Sequence, residues 1–513
     1  MKKIWIIVFL GLLIYSFGLF NGFVWDDEVM FQKAASIPGN IYFRPAISAI
    51  YWGIYNIFGP RPFFFHFFQL IFHIGTAILI YCLFKRFFKE TISLILALIF
   101  LVHPASVEAV SFASAMQEIT FTLVGIFGLY IFTTLGSSVI PVKTGIQTKI
   151  TSSKVFLATF LLLIALLMKE TAIVFFFLVF CYLLLFKREN KVILIGYSGL
   201  SAIILMGYFL FRISGGSLYV QGQGLFPIMR VSLETRLMNI PMIIHYYLGK
   251  FFYPMNLAIA QHWVVRTINF QDFWLPLIFE ITLFITALIY IIKKKNKVFA
   301  FFFLWFLIGL LPHLQIISLN MTVAERWLYF PMIGLLGMTG SIIQISNIKN
   351  QISKILFSSA IIIILVFSIR SFTRVLDWRN GLNLFGLDIR KDSSFDLQNN
   401  YGVELFRVGR YNEAKKYFEI STQLAPYWWV NWNNLGASYE REKNYQKAMD
   451  YYQKSVTNGQ YYLAYENLAR ILVLHGKDQK KTEEFLQKSL KIFPENQNLL
   501  LINTYFLGSV KPY

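Results

Sequence analysis

Apolar runs separated by short polar stretches dominate the chain as far as residue 371. One run follows Lys2 and Lys3 and ends at Phe20. Others fall at about 62–84, 91–107, 117–135, 155–168, 171–186, 192–212, 274–292, 298–316, 326–345 and 355–371. A helix that crosses a bilayer needs about 20 predominantly apolar residues. The pattern therefore predicts an all-α polytopic membrane protein with about eleven transmembrane helices, those near 155–186 being short. A cleaved signal peptide also begins with basic residues and an apolar stretch, but no A-x-A-like site follows Phe20, so the first run reads as a retained span. From about residue 395 the pattern turns polar and helical. The expected division is a membrane domain over 1–375, a linker over 376–394 and a helical-repeat domain over 395–513.

Charge gives these runs a direction. If the N-terminus is cytoplasmic, alternate loops should be basic. They are: Lys85, Arg86 and Lys89, then Lys143, Lys149 and Lys154, then Lys187, Arg188 and Lys191, then Lys293, Lys294, Lys295 and Lys297, then Lys349 and Lys354. An odd number of spans puts the repeat domain outside, on the side of the first loop. Two outer segments are large, about 21–61 and 213–272. The first holds Arg44, Pro45, Tyr51 and Trp52, a stretch suited to an interfacial amphipathic helix. The second begins with Gly215, Gly216, Gly222 and Gly224, and its part over 213–240 has the make-up of a lid. The inner loop 136–153 reads as a flexible insertion.

Composition fits this picture and removes others. Hydrophobic residues make up 56% of the 513 and charged residues 14%, against about 25% charged in soluble chains. With 18% aromatics the chain is not disordered over most of its length. The net charge of +20 belongs to the inner loops, so nucleic acid is not an expected partner. Cys82 and Cys181 lie in apolar runs and form neither a disulfide framework nor a zinc spacing.

The polar C-terminal region repeats with a 34-residue period. Gly402, Ala414, Phe418 and Pro426 return as Gly436, Ala448 and Tyr452, and Leu468, Ala469, Thr482, Leu486 and Pro494 mark a third, degenerate unit. Small residues let two helices pack closely, an aromatic fills the gap, and proline ends the second helix. This resembles the tetratricopeptide repeat (TPR). Such arrays bind peptides or partner proteins; the plain alternative is an extension that stabilises the membrane domain.

The sharpest chemical feature is Trp25-Asp26-Asp27-Glu28. Three of only 27 acids in the chain stand in a row just past the first span. Adjacent carboxylates repel and one takes a raised pKa, which suits a general base or a cation site. A solvated acidic cap on a membrane helix is the plain reading. Arg44, His66, His73, His103 with Glu108, Gln117-Glu118, Lys169-Glu170, His313, Gln315 and Glu325-Arg326 also lie at or near the outer ends of runs. Each alone reads as a helix-end charge, a snorkelling side chain or a satisfied buried histidine. Together they place acids and bases at one membrane face, where ionisable groups are functional candidates. Removing a proton from a hydroxyl needs a carboxylate, and stabilising a leaving phosphate needs fixed Arg, Lys or His. Sugar transfer from a lipid-linked phosphate needs both.

The ordered set from Phe23 to Glu28, Phe43-Arg44-Pro45, Pro62 to His66 and His73, His103-Pro104 with Glu108, Lys169-Glu170 and Glu325 to Tyr329 resembles the GT-C superfamily of glycosyltransferases. With the repeats after the last span it is similar to the transmembrane and TPR-containing O-mannosyltransferases and their bacterial relatives. The resemblance implies transfer of a hexose such as mannose from a polyprenyl-phosphate carrier to a hydroxyl on the extracytoplasmic face, with inversion. It implies Asp27, or else Asp26, as general base, with Glu28 in support. It assigns Arg44, His103, Glu108, Lys169, Glu170, Glu325 and Arg326 to the substrate and carrier phosphate. Some superfamily members use a divalent cation, and Asp26, Asp27 and Glu28 suit only a hard ion such as Mg or Mn. The acceptor, a protein or a glycan, is expected at the TPR domain, and a bacterial plasma membrane is the expected location. Against this stand an envelope polysaccharide polymerase or ligase that relies on outer arginines such as Arg230, and a non-catalytic membrane-anchored TPR scaffold.

Overall fold

The computed structural model describes residues 2–32, 44–135, 145–214, 224–345 and 350–509. The inner insertion expected at 136–153 and the glycine-rich start of the 213–240 loop lie largely outside the described residues, as do Phe43, Lys143 and Lys349 and the side chains of Lys149 and Lys354. Regular structure among the described residues is helical, with one isolated antiparallel bridge between Gln261 and Val323. The chain divides into two compact units, Met1–Asn383 and Leu384–Tyr513. The division falls inside the stretch expected as a linker, which is itself partly helical over Gly381–Asp388.

Among the described residues of the first unit six helices are long and apolar enough to cross a membrane: Lys2–Phe20, Pro62–Phe84, Ala113–Thr134, Lys191–Ser214, Phe270–Lys294 and Ile355–Asp377. A bent pair, Glu90–Val102 with Pro104–Ser111, makes a seventh if it counts as one span. This corrects the expected eleven. The runs near 155–168, 171–186, 298–316 and 326–345 form Ser152–Met168, Glu170–Phe186, Lys297–His313 and Pro331–Gln344, apolar helices of 10–17 residues. At about 1.5 Å per residue the last three fall short of the roughly 30 Å hydrocarbon core, whereas the first is part of a longer helix, Gly145–Met168. Hydropathy alone could not separate them from spans, because an apolar run looks the same whether it meets lipid or other helices.

Burial sorts the long helices. Ala113–Thr134 and Pro62–Phe84 are mostly buried, whereas only 6% of the most apolar stretch of Phe270–Lys294 and 17% of that of Ile355–Asp377 is covered. Their bare faces carry Ile278, Ile285, Ile289 and Ile292, and Ile362, Leu365 and Ile369. Continuous apolar faces of this size need a nonaqueous neighbour, which fits membrane association.

Inside, glycines bring helices together where a side chain would separate them. A Cβ on Gly334 would lie 2.6 Å from the Phe306 nitrogen and 2.8 Å from the Phe302 oxygen, so Lys297–Leu310 and Pro331–Ile345 touch backbone to backbone. Pro104 makes the sharpest break. It offers no N–H and pushes His103 into an extended conformation (φ −68°, ψ 124°), so the helix stops at Val102 and restarts bent by 52°. That bend moves Glu108 out of the line of the preceding helix.

The second unit stacks helices at the repeat period: Phe395–Arg407, Tyr411–Leu424, Trp429–Arg441, Tyr445–Asn458, Tyr462–His475, Gln479–Ile492 and Gln497–Ser509. A Cβ on Gly402 would sit 2.7 Å from Phe418, and one on Gly436 would sit 2.7 Å from Tyr452. The equal clearance shows the same packing solution used twice. The third unit has Arg470 at the glycine position and Leu486 at the aromatic one. Arg470 compensates by bonding Glu440 of the preceding unit at 2.5 and 2.9 Å. Asn399, Asn433 and Asn467 stand 34 residues apart, and two bonds tie successive units there: Asn434 to Asn399 at 2.8 Å and Asn467 to Asn433 at 3.0 Å.

We expect Gly334→Val to cost about 1–3 kcal/mol, the range for overpacking a close contact. Gly196→Ala meets no atom within 4 Å and should be neutral or slightly stabilising. Thermal unfolding of both variants in detergent checks this, and equal midpoints would contradict the backbone contact.

Candidate functional site

Asp27 is seated in a helix start. Phe112 is extended, and Ala113–Thr134 begins immediately after it, leaving its first N–H groups without partners within the helix. Asp27 supplies the acceptors. The amide of Ser114 donates to Oδ1 at 2.7 Å and its hydroxyl at 2.5 Å, and the amide of Ala113 donates to Oδ2 at 3.2 Å. Asp27 is 0% exposed, whereas Asp26 is exposed. Burial pushes the Asp27 carboxyl up to about 7, the bonds from Ser114 and Ala113 oppose this, and Asp26 adds to it. The turn that carries these acids is strained. Trp25 has a left-handed φ of 54°, a conformation that costs an aromatic residue on the order of 1–3 kcal/mol. Its ring is held by stacking on Phe112, at 5.9 Å between centroids and 15° between planes.

Three buried or half-buried ion pairs surround this seat, each joining residues far apart in sequence. Arg326 bonds Glu108 through its guanidinium, and its backbone amide donates to Oε2 of the same carboxylate at 2.9 Å. Lys169, in the break between Gly145–Met168 and Ile173–Phe186, pairs with Glu118 in the first turn of Met116–Thr134. Arg44 precedes Pro45–Phe58 and grips Glu170 with two nitrogens, one at 2.8 Å, while a third nitrogen donates to Gln117 at 2.9 Å. The pairs act on one another. Arg326 lies within electrostatic reach of Glu118 and Asp26, and Lys169 within reach of Arg44 and Glu170. Phe112 lies under both the Trp25 ring and the Arg326 guanidinium, the latter 5.8 Å from its centroid.

Of the residues singled out in the sequence, Asp26, Asp27, Arg44, Glu108, Lys169, Glu170 and Arg326 thus belong to one cluster, with Gln117 and Glu118. His103 is placed differently. Its Nε2 meets the Phe251 carbonyl at 3.1 Å and its Nδ1 accepts the Ala105 amide at 3.2 Å, so it braces the break at Pro104. Glu325 accepts the Ala258 amide at 2.6 Å and holds that backbone to its own short turn. Glu28 opens the turn Glu28–Gln32. The cation reading does not fit this geometry. Among the described residues no three of His, Cys, Asp and Glu are grouped as a metal ion requires, because Asp27 is turned inward onto Ala113 and Ser114 while Asp26 is exposed. Sequence reasoning passed over Ser114. Its one signal was a serine beside small residues at the start of an apolar run, a helix-start pattern.

Residues 431–458 match the family model of the tetratricopeptide repeat. No curated protein matches the chain.

The ion pairs and the seated carboxyl can each be tested. Glu108→Leu leaves Arg326 buried without its carboxylate and should cost about 3–5 kcal/mol, whereas Glu108→Leu with Arg326→Met should recover most of that; a double-mutant cycle of unfolding free energies reads the difference. Asp27 gives a pH dependence. Its folded pKa lies above its unfolded one, so its contribution to stability is full below about pH 4 and is lost as the pH rises through about 7. Unfolding midpoints across that window should fall with pH in the wild type, and this component should vanish in Asp27→Asn.

Proposed function

We propose that the protein is a membrane glycosyltransferase. It moves a hexose from a polyprenyl-phosphate carrier to a hydroxyl acceptor on the extracytoplasmic face, and its TPR unit engages a protein or glycan acceptor. The side of the membrane rests on the alternation of basic loops. The observation that carries the reading is the gathering of two loop acids and three cations, drawn from separate helix breaks, into one cluster of an otherwise apolar unit. Buried charge on this scale is not the cheapest way to hold helices together, which favours a chemical use beside the structural one.

In this reading the acceptor oxygen attacks the anomeric carbon, the bond from that carbon to the phosphate oxygen breaks with its electron pair, and the acceptor proton passes to a carboxylate. We give that proton to Asp26, whose exposure supports the choice, because a base must reach the hydroxyl it deprotonates. Asp27, closed off by Ser114, holds the strained turn that presents Asp26. The resemblance had put Asp27 first and Asp26 second. Arg326, Lys169 and Arg44 are the cations available to the departing phosphate, which must compete with Glu108, Glu118 and Glu170 for them.

The test is transfer from a short polyprenyl-phosphate hexose by the purified protein, together with envelope glycan masses in a strain lacking it. Asp26→Asn should lower kcat by about 10²–10⁴ with stability unchanged. Asp27→Asn should lower activity while changing the pH dependence of stability. A hexose increment that needs the protein but is indifferent to both variants would sink the carboxylate mechanism and favour the polymerase or ligase reading, and no increment that needs the protein would leave the repeat scaffold as the working description.

A further inference from the structure

His313 ends the helix Lys297–His313 and is only 4% exposed. Its ring lies flat on Trp327, with centroids 5.0 Å apart and planes 11° from parallel. Its Nδ1 is buried and takes no hydrogen bond. A buried polar atom left in that state costs about 1–3 kcal/mol, so packing alone would favour an apolar ring on Trp327. The neighbours suggest why the nitrogen is there. His313 lies within electrostatic reach of Lys169 and Arg326, the cations of two of the buried pairs, and of Glu170. A neutral imidazole within reach of two cations has one N–H to give and forms no ion pair of its own. An anion that enters by loosening the Lys169 and Arg326 pairs would find in it a donor already desolvated and oriented by the tryptophan.

We infer that His313 is a binding residue for the phosphate of a prenyl-phosphate ligand, donating a hydrogen bond between Lys169 and Arg326 while Trp327 fixes its ring. The inference rests on the transfer reading for the choice of ligand, and binding can be tested without transfer.

The probe is a short-chain prenyl monophosphate, titrated by ³¹P NMR against the full-length protein in nanodiscs, with inorganic phosphate and a phosphatidylglycerol nanodisc as parallel arms. His313→Phe keeps the stack on Trp327 and removes both nitrogens. It should weaken prenyl-phosphate binding on the order of tenfold or more, as expected for a hydrogen bond to a charged group. Its unfolding midpoint should hold or rise, because an unsatisfied atom is removed. His313→Gln, which restores a donor, should recover part of the affinity. If the wild type binds the probe, His313→Phe loses it and no sugar is transferred, the site stands and the transferase reading fails. Competition by inorganic phosphate or phosphatidylglycerol that disappears in His313→Phe supports the site and identifies a phosphate source other than the prenyl lipid. Equal affinity in wild type and His313→Phe overturns the inference, and so does a wild type that binds none of the three.

Discussion

Charge cannot be left alone in an apolar interior, and the first unit is organised around that constraint. Arg326, Lys169 and Arg44 each take a carboxylate from a distant part of the chain: Glu108, Glu118 and Glu170. Replacing such a pair by apolar residues is often neutral or favourable, whereas breaking it is costly. The pairs therefore lock helix ends to one another without being the cheapest way to hold them.

The locks depend on interruptions in the helices. Pro104 bends one helix and frees Glu108 from its axis. The extended Phe112 leaves the amides of Ala113 and Ser114 for Asp27. The break at Lys169 gives its ammonium group a path to Glu118. A continuous helix satisfies its own backbone and offers no such positions. Irregular backbone is tolerated among apolar helices only where protein covers it or it lines a cavity, and here side chains from elsewhere in the chain complete it.

The second unit follows a different logic. Each helix pair meets mainly its neighbours, so the same glycine and aromatic answer the same demand 34 residues apart. Where Arg470 replaces the glycine, the bond to Glu440 ties the units by charge instead of close packing. Because the demand recurs at a fixed spacing, the repeat is legible in the amino-acid pattern itself, and residues 431–458 match the repeat family.

The pattern of apolar runs determined that the chain is helical, that its first part favours a nonaqueous setting, and that a polar repeat follows. It also flagged most of the clustered residues, because ionisable groups are conspicuous in an apolar chain. Tertiary structure decided the rest. Whether an apolar run spans or only packs depends on its final helical length and on what covers it, and among the described residues this leaves six or seven candidate spans where eleven runs were read. Asp26 and Asp27 are alike in sequence, yet one is exposed and the other wholly buried, because a single residue's step along a turn reverses the direction of a side chain. His103 and His313 both close apolar runs. Only the fold shows that backbone atoms occupy both nitrogens of His103 while Nδ1 of His313 is left without a partner beside two cations. Such distinctions arise largely from contacts between residues far apart in the sequence, such as Asp27 with Ser114 and His103 with Phe251, and local pattern does not carry them.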